Sequence, residues 1–535
     1  MAQRILVADE LAPEGLEALK ASGMQYDEKV GLTPEQLAAE VGNYDALIVR
    51  SKAKVPAKVL ANPGKLRIIA RAGVGVDTID LDAATAKGIL VINTAAASTL
   101  STAEHALALM FALARKIPAG HAHVSAGPAK WEKAKYQGTQ LAGKTLGVVG
   151  LGRIGQTVAS RALAMEMKVI GFDPFFSGQS ALDGKVPLYR DFDQFLGLCD
   201  VITFHVPGGE GTKHLLNRER LFGKCRPNLL VVNDARGEVV DEYALAEAIK
   251  EKKIAGAALD VYQTEPPAKD HPLFGLDNVV LTPHLGASTD EAQEKAGTAV
   301  AKSVKLALSG EFVPDAVNVQ GGAIAEDVRP GLPLAEKLGR VFTALAGGIA
   351  SRIEVEVRGE IAQYDVKVLE LAVLKGVFTD VVETSVTYVN APLFAQDRGV
   401  EMSLTTDDES PDYRNLITVR GTMPNGTQLS IAGTLVRPKY TEKLVKVDNF
   451  DVDLNLSEHF GFFRYVDRPG VVGVIGQLLG EHGINIAGMQ VARTSAGGKA
   501  LSVLTVDSRV PDGLLEKVRL AIDADLMQEI DITES

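Results

Sequence analysis

Over about the first 300 residues, short apolar runs alternate with stretches whose apolar positions recur at helical spacing. Arg4 to Ala8, Ala46 to Val49, Leu66 to Ala70 and Val91 to Asn93 have the length and composition of buried strands. Pro13 to Ala21 reads as a helix between them, and Thr33-Pro34 opens another with Gln36 three residues on. A longer apolar helix is predicted from Ser101 to Arg115, with Ala106, Leu109, Met110 and Leu113 on its buried side. The strand pattern then repeats at Leu146 to Gly150, Val169 to Phe172, Val201 to His205, Leu230 to Asn233, Gly256 to Asp260 and Val279 to Leu281. Strands that alternate with helices imply parallel sheets, whose working loops leave the C-terminal strand ends. Ser288, with Glu291 three residues on, predicts a capping box for a helix that runs to Leu308 and stops at Gly310. That helix is expected to return to the first domain and make it discontinuous.

Two stretches break the rhythm. Gly127 to Gly143 is polar, carries the single tryptophan, Trp131, and reads as an excursion toward a neighbouring subunit. Gly321-Gly322 reads as a linker. Beyond it, Ser351 to Glu360 alternates at period two, Val366 to Phe378 is helical, and strands are predicted at Val382 to Val389, Val400 to Thr405, Leu416 to Thr422 and Gln428 to Val436. Asn425-Gly426 joins the last two as a hairpin. From about His459 the order is β-α-β-β-α-β, the ferredoxin-like split arrangement. The predicted fold class is therefore α/β, with two doubly wound parallel-sheet domains followed by an α+β domain and a ferredoxin-like module.

Composition narrows the function classes. The chain has 535 residues and a net charge of −12, which argues against broad nucleic-acid or anionic-membrane binding, so an anionic ligand needs a local basic cluster. The two cysteines, Cys199 and Cys225, make no disulfide framework and suit a reducing compartment. Acidic residues near the start, and the lack of any apolar stretch of about 18 residues, lead to the expectation of a soluble, cytoplasmic protein.

The most specific stretch is Leu146 to Asp173, LGVVGLGRIGQTVASRALAMEMKVIGFD. Gly150, Gly152 and Gly155 form G-x-G-x-x-G between a strand and a helix. The first serves the tight turn, the second lets backbone approach a pyrophosphate, and the third lets helix pack on strand. Unpaired N–H groups at the helix start favour the phosphates. Asp173, 23 residues after Gly150, ends the second strand where an acid bonds the ribose hydroxyls. Its charge would repel a 2′-phosphate, so NAD is favoured over NADP.

Three side chains at later strand ends suit hydride transfer on a 2-hydroxy acid: His284 as proton acceptor, Glu265 to fix its tautomer, and Arg236 to grip a carboxylate bidentately. His205 and Asp260 are expected to contact the cofactor or serve packing, and His214, His271, His121 and His123 to lie at the surface. Arg50 and Arg71 sit at equivalent strand ends of the first sheet and suggest an anion site. No metal-ligand spacing is present.

VRSKAKV (49–55), ARAGVGVDTID (70–80), GKTLGVVGLGRIG (143–155), DARGEVVDE (234–242), ALDVYQTEPP (258–267) and TPHLGAST (282–289) resemble, in order and spacing, the D-2-hydroxyacid dehydrogenases, and within them the long form of the phosphoglycerate dehydrogenases. The resemblance implies catalytic Arg236, Glu265 and His284. It implies NAD contacts along the cofactor edge at Arg153, Ile154, Asp173, His205, Val206, Pro207, Ala235, Arg236, Asp260, His284, Gly286 and Ala287. It implies substrate contacts at Arg50, Ser51, Arg71, Val74, Gly75, Arg236 and His284. The implied domains are a substrate-binding domain at 1–98 and 288–317, an NAD-binding domain at 99–287, an intervening domain at 318–456 and an ACT domain at 457–535. The activity implied is NAD-dependent oxidation of D-3-phosphoglycerate, with another D-2-hydroxy acid or 2-oxoglutarate, or an NADH-sensing corepressor, as alternatives. The last segment resembles ACT domains that bind L-serine at a subunit interface, which points here to Tyr465, Asp467 and Asn485 and to a dimer or tetramer. The chain departs from the family in NTAAASTLSTAEHA (93–106), which lacks the usual proline, glycine and asparagine, in Glu238 beside Arg236, and in Val74 at a position where a polar residue can meet a ligand.

Overall fold

A computed structural model describes residues 3–127, 130–176, 178–319, 324–383 and 386–533. The chain divides into two compact units, residues 1–55, 64–79 and 92–311 in the first and 56–63, 80–91 and 312–535 in the second. Among the described residues no helix is long and apolar enough to cross a membrane.

The first unit carries two sheets, parallel except for the antiparallel edge pair Ser180–Ala181 and Val186–Tyr189 of the larger one. The smaller has strand order Gln25–Glu28, Arg4–Val7, Ala46–Val49, Ile68–Arg71, with Leu90–Asn93 at its edge. Its central strands are apolar on both faces, and Ala46–Val49 is wholly buried, as a sheet covered by helices requires. Helix Asp290–Leu308 packs against helix Pro13–Ala21 at a point where Gly15 faces Gly297; a Cβ on Gly15 would stand 2.8 Å from the Gly297 Cα. Thr289, and not Ser288, caps this helix, its hydroxyl accepting from Ala292 N–H, so the predicted capping box is replaced by a single cap one residue on.

The larger sheet runs Val279–Leu281, Gly256–Leu259, Leu230–Asn233, Val201–Phe204, Thr145–Val149, Lys168–Phe172, Val186–Tyr189, Ser180–Ala181. Strand order reverses between Thr145–Val149 and Val201–Phe204, the switch point at which doubly wound sheets open a crevice for ligands. Helix Thr99–Ala114 lies over this sheet through Ala103, Ala106, Met110 and Leu113. The polar excursion is preceded by a helix that the sequence pattern missed, Ile117–Ser125, which buries no side chain. Trp131 stands 69% exposed.

In the second unit, helices Gly331–Ala346 and Lys367–Thr379 pack on a six-stranded sheet ordered Glu401–Asp407, Arg352–Gly359, Asn415–Thr422, Gln428–Val436, Thr441–Val447, Phe450–Asn455. The first helix and the last two strands were not predicted. The strand expected over Val382 to Val389 is not formed in its described residues; Thr387 and Asn390 instead bond each other in a turn that leads into helix Ala391–Asp397. Gly321-Gly322 lies outside the described residues. The C-terminal sheet, ordered Ile486–Arg493, Lys499–Val506, His459–Val466, Leu526–Asp531, is antiparallel, with helices Val471–Glu481 and Asp512–Ile522 connecting it. Phe460, Phe462, Leu501 and Val503 join Val355, Val419 and Leu454 in one apolar core, so the two sheets of this unit are packed as a single body.

Candidate active site

The glycine turn has the shape that a dinucleotide needs. Gly150 has φ 88°, open to glycine at no steric cost, and its N–H donates to the Phe172 carbonyl. A Cβ on Gly155 would overlap the Gly150 carbonyl oxygen, whereas one on Gly152 would stand in open space. Gly152 caps helix Arg153–Ala164 without a side-chain bond, so the first-turn N–H groups of this twelve-residue helix can meet an anion. Arg153 is exposed and Ile154 half-buried at that end. Asp173 accepts from Leu151 N–H and Phe175 N–H, both at 2.9 Å, which fixes its carboxylate beside the glycine turn.

Across the switch point, Val206 is half-buried and Pro207 exposed just past strand Val201–Phe204. His205 is enclosed, its Nε2 3.1 Å from the Thr203 hydroxyl, and burial pulls its pKa down to about 4. Burial thus disfavours the imidazolium form of this ring.

His284 sits at the end of strand Val279–Leu281 with φ 57°, and its N–H donates to the Asp260 carbonyl. The left-handed turn projects the imidazole outward, where Nδ1 lies 2.8 Å from Glu265 Oε2. Glu265 Oε1 accepts from Tyr262 N–H at 3.1 Å, so the carboxylate is held at both ends. Among the described residues this leaves His284 Nε2 without a partner, on a side chain 53% exposed. Ala235, Gly286 and Ala287 complete the same edge. Ala235 N–H donates to Asn233 Oδ1, and Gly286 is buried while Ala287 is exposed.

Arg236 follows strand Leu230–Asn233 and faces loop 73–79 of the first sheet. Its guanidinium donates to the Ala235 carbonyl at 2.7 Å and pairs with Asp77 at 3.1 Å. Burial pushes the Asp77 carboxyl up, but the charge and hydrogen bond of Arg236 outweigh it and hold the group below its ordinary value. A Cβ on Gly75 would meet this guanidinium, which explains the glycine there. Val74 offers no side-chain polarity; its carbonyl accepts from Asn93. Arg71 is largely buried, donating to the Arg50 carbonyl and the Thr78 hydroxyl, with Nε lacking a partner among the described residues. Burial, together with the like charges of Arg236 and Arg50, lowers its pKa against the pull of Asp77 and Asp9. Among the described residues the Arg50 side chain donates to the Glu10 carbonyl, and Ser51 beside it is exposed. The structure thus gathers Arg71, Asp77 and Arg236 around one cleft, with Arg50 anchored to Arg71 through its carbonyl.

Four neighbours of these side chains were not predicted. Asp77 is one. His105 Nε2, from helix Thr99–Ala114, lies 3.2 Å from Asp260 Oδ1. Asp234 is buried in the loop beside Arg236. Glu242 is buried with His271, 2.9 Å apart, and accepts from Gln263 N–H. His271 is therefore not the surface residue that was expected; it is walled in by Tyr262 and Phe274. Only His105, half-buried in an otherwise apolar helix, gave a signal that could have been used. Glu238, the departure beside Arg236, accepts from Gly209 N–H at 2.6 Å and ties down the loop after Pro207.

In the second unit Asp467 and Asn485 are not neighbours within one chain. Val466 pairs with Lys499 at one end of the C-terminal sheet, and Ile486 with Val506 at the other. Asp467 accepts from Arg493 and from Gly497 N–H, whereas Asn485 donates to Asp507 at 2.7 Å. Tyr465 is buried, with its hydroxyl 2.8 Å from Ser502 Oγ.

Comparison with known proteins matches three segments of the chain to family models. Residues 107–286 match the D-isomer specific 2-hydroxyacid dehydrogenase NAD binding domain, 327–448 the D-3-phosphoglycerate dehydrogenase intervening domain, and 462–519 the ACT domain. A D-3-phosphoglycerate dehydrogenase from Mycobacterium leprae is 44% identical over 531 residues, 99% of both chains. Proteins of the same name from Archaeoglobus fulgidus and Bacillus subtilis are 41% and 36% identical, covering 96% and 99% of this chain and 97% and 99% of their own. Among solved structures, the TT0316 protein of Thermus thermophilus aligns with TM-score 0.55 and 35% identity over 59% of this chain and 100% of its own. The D-lactate dehydrogenase of Aquifex aeolicus, complexed with NAD and lactic acid, aligns with TM-score 0.50 and 30% identity over 58% of this chain and 96% of its own. Matched end to end by such relatives, the chain belongs to the D-3-phosphoglycerate dehydrogenase family, a long-form branch of the D-isomer specific 2-hydroxyacid dehydrogenases.

Proposed function

We propose that this protein oxidises D-3-phosphoglycerate to 3-phosphohydroxypyruvate with NAD, the first step toward serine. The observation that carries the reading is the His284–Glu265 pair facing the same crevice as Arg236, at successive strand ends beside the glycine turn. When bound, NAD supplies the hydride acceptor. Arg236 grips the substrate carboxylate, exchanging its bond to Asp77 for one to the ligand. His284 Nε2 takes the hydroxyl proton while Glu265 fixes the tautomer through Nδ1 and balances the imidazolium that forms. Arg50, Ser51 and the Val74–Gly75 backbone meet the remainder of the substrate, and Arg71 holds Arg50 in place. Residues 1–98 with 288–317 serve as the substrate-binding domain, 99–287 as the NAD domain, 318–456 as the intervening domain and 457–535 as the regulatory domain. A steady-state panel of 2-hydroxy acids with NAD and NADP tests the assignment. D-3-phosphoglycerate with NAD should give the highest kcat/KM; a better unphosphorylated acid, or no NADH formed from any of them, would overturn it.

Two consequences follow for specificity. Asp173→Ala should raise the ratio of kcat/KM for NADP over NAD by about tenfold or more, because a like-charge contact costs several kcal/mol. An unchanged ratio would remove Asp173 from the ribose site. Arg50→Ala should raise KM for the phosphorylated acid by about tenfold while leaving an unphosphorylated 2-hydroxy acid within about twofold, since a hydrogen bond to a charged group is worth about 1.5 to 3 kcal/mol. Equal changes in both would make Arg50 structural.

The regulatory reading is that L-serine binds between two copies of the C-terminal domain, where Asp467 of one copy meets Asn485 of the next. Their placement at opposite ends of one sheet supports a shared site over an internal one. Serine titration of the full-length enzyme should lower activity, with Asp467→Ala relieved of inhibition. Full activity and no bound serine at millimolar concentration would make the domain an assembly module. A homo-oligomer is supported by Ile117, Val124 and Trp131, apolar and exposed around one excursion, to which Lys133 adds a charge. The two free cysteines fit a cytoplasmic setting.

A further inference from the structure

Behind the His284 turn lies an acid pair that the reaction itself does not use. Asp260 Oδ1 accepts from Leu285 N–H at 2.8 Å and from the Thr282 hydroxyl at 2.5 Å, and Oδ2 accepts from Gly286 N–H at 2.8 Å. This one carboxylate thus closes the turn that presents His284. Burial pushes its carboxyl up, but the bonds from His105, Leu285, Thr282 and Gly286 outweigh that and hold it well below the carboxylate range. Asp234 stands against it from the neighbouring strand end. It is 7% exposed, and Oδ2 has no hydrogen-bond partner among the described residues. Its Oδ1 lies so near Gly286 that a Cβ there would come within 2.6 Å. Carboxylate oxygens of Asp234 and Asp260 and a ring nitrogen of His105 all lie within 4.8 Å of one another. Around Asp234, the charged group that acts on it is Asp260; His105 reaches that carboxylate from its helix, and Arg236 turns away to Asp77 and the Ala235 carbonyl. Tyr262 donates to the Thr282 carbonyl and completes the wall.

Resting on the reading of His284 as proton acceptor, we propose that Asp234 is a positioning residue that works as a neutral acid: its proton bridges to Asp260 and keeps the Thr282–Ala287 turn closed. Two buried carboxylates in contact cannot both be charged without strong repulsion, so one holds a proton. Asp260 has the donors, which leaves Asp234 as the acid. Burial, then the charge and hydrogen bond of Asp260, push Asp234 up to about 9. When that proton leaves in alkali, repulsion opens the turn and His284 loses its place.

The sign of the stability effect follows. In the unfolded chain this aspartate titrates at about 4. Its folded-state proton therefore contributes stability that is complete below about pH 4 and is lost as pH rises through the folded value. Asparagine at 234 donates the same bond and carries no such dependence. The melting-temperature advantage of Asp234→Asn over the parent should widen from pH 5.5 to 9 and level off beyond; a constant difference across that range overturns the proposal. Infrared difference spectra of the parent should show a protonated carboxyl stretch at pH 7 that vanishes at pH 10.5 and is missing in Asp234→Asn; the stretch persisting in the variant overturns it also. Neither measurement depends on turnover, so each stands apart from the functional reading. In kinetics, kcat/KM of the parent should fall about tenfold per pH unit above the alkaline transition, while Asp234→Asn continues without that limb and Asp234→Ala is weaker throughout. The same limb in parent and Asp234→Asn, or a stoichiometric divalent cation in purified parent by elemental analysis, would overturn the assignment.

Discussion

His284→Ala is expected to lower kcat by about 10² to 10⁴, the usual cost of removing a positioned acid-base group. NAD binding should survive, because the glycine turn and Asp173 that form its site lie across the switch point and share no bond with the imidazole. The measurement is kcat across pH 6 to 9 together with the NAD dissociation constant from protein fluorescence or calorimetry. Near-normal turnover would displace His284 from the role. Loss of NAD affinity in step with kcat would mean instead that the turn collapsed. Glu265→Gln gives a useful partner experiment: Nδ1 keeps a hydrogen-bonding neighbour but loses the charge opposite the imidazolium, so kcat should fall with KM little changed.

Arg236→Lys is expected to be nearly as damaging as Arg236→Ala, with kcat/KM down by about 10² to 10⁴. The guanidinium can offer two parallel donors to a carboxylate, and lysine replaces that fork with a point charge. At about 1.5 to 3 kcal/mol for each charge-assisted bond, the loss of two accounts for the range. The pairing with Asp77 sharpens the test. Asp77→Asn removes the competitor for the guanidinium without removing the guanidinium, so it should not share the collapse. Equal losses in Arg236→Lys and Asp77→Asn would show that the pair is a structural clip between the two sheets and no substrate grip.

Much of this site was legible in the sequence because a parallel sheet sends its loops to one edge. Once the strands ending at Val149, Phe204, Asn233, Leu259 and Leu281 were placed, Arg236 and His284 had to face the same crevice. What escaped was contact between loops of different sheets and contact from helix to loop. Nothing local in ARAGVGVD marks Asp77 as the partner of a residue 159 positions on. Asp234 reads as one more polar loop residue until burial sets it against Asp260. His271 reads as a surface residue beside Pro272 until Tyr262 and Phe274 close over it. In the second unit, Val382 to Val389 has the β-branched content of a strand, yet Thr387 and Asn390 compete for its backbone and make a turn. Asp467 and Asn485 illustrate a different limit: order along the chain gives topology, but which end of a sheet a residue occupies depends on strand direction.

The glycine contact between helices Pro13–Ala21 and Asp290–Leu308 has a bearing on how the protein is made. Gly15 and Gly297 are 282 positions apart, and their backbones touch with no room for a side chain between them. During synthesis at about 5 to 20 residues per second, the first helix leaves the ribosome about 15 to 60 s before its partner exists. In that interval the face around Gly15 and Leu11 is bare, and the whole dinucleotide-binding segment must emerge before it can be covered. The first sheet is thus the earliest to be translated, yet its helix Pro13–Ala21 stays uncovered until the dinucleotide-binding segment has been made. A nascent chain halted before residue 290 should therefore be cut by protease within its N-terminal portion, and one halted well past residue 310 should not.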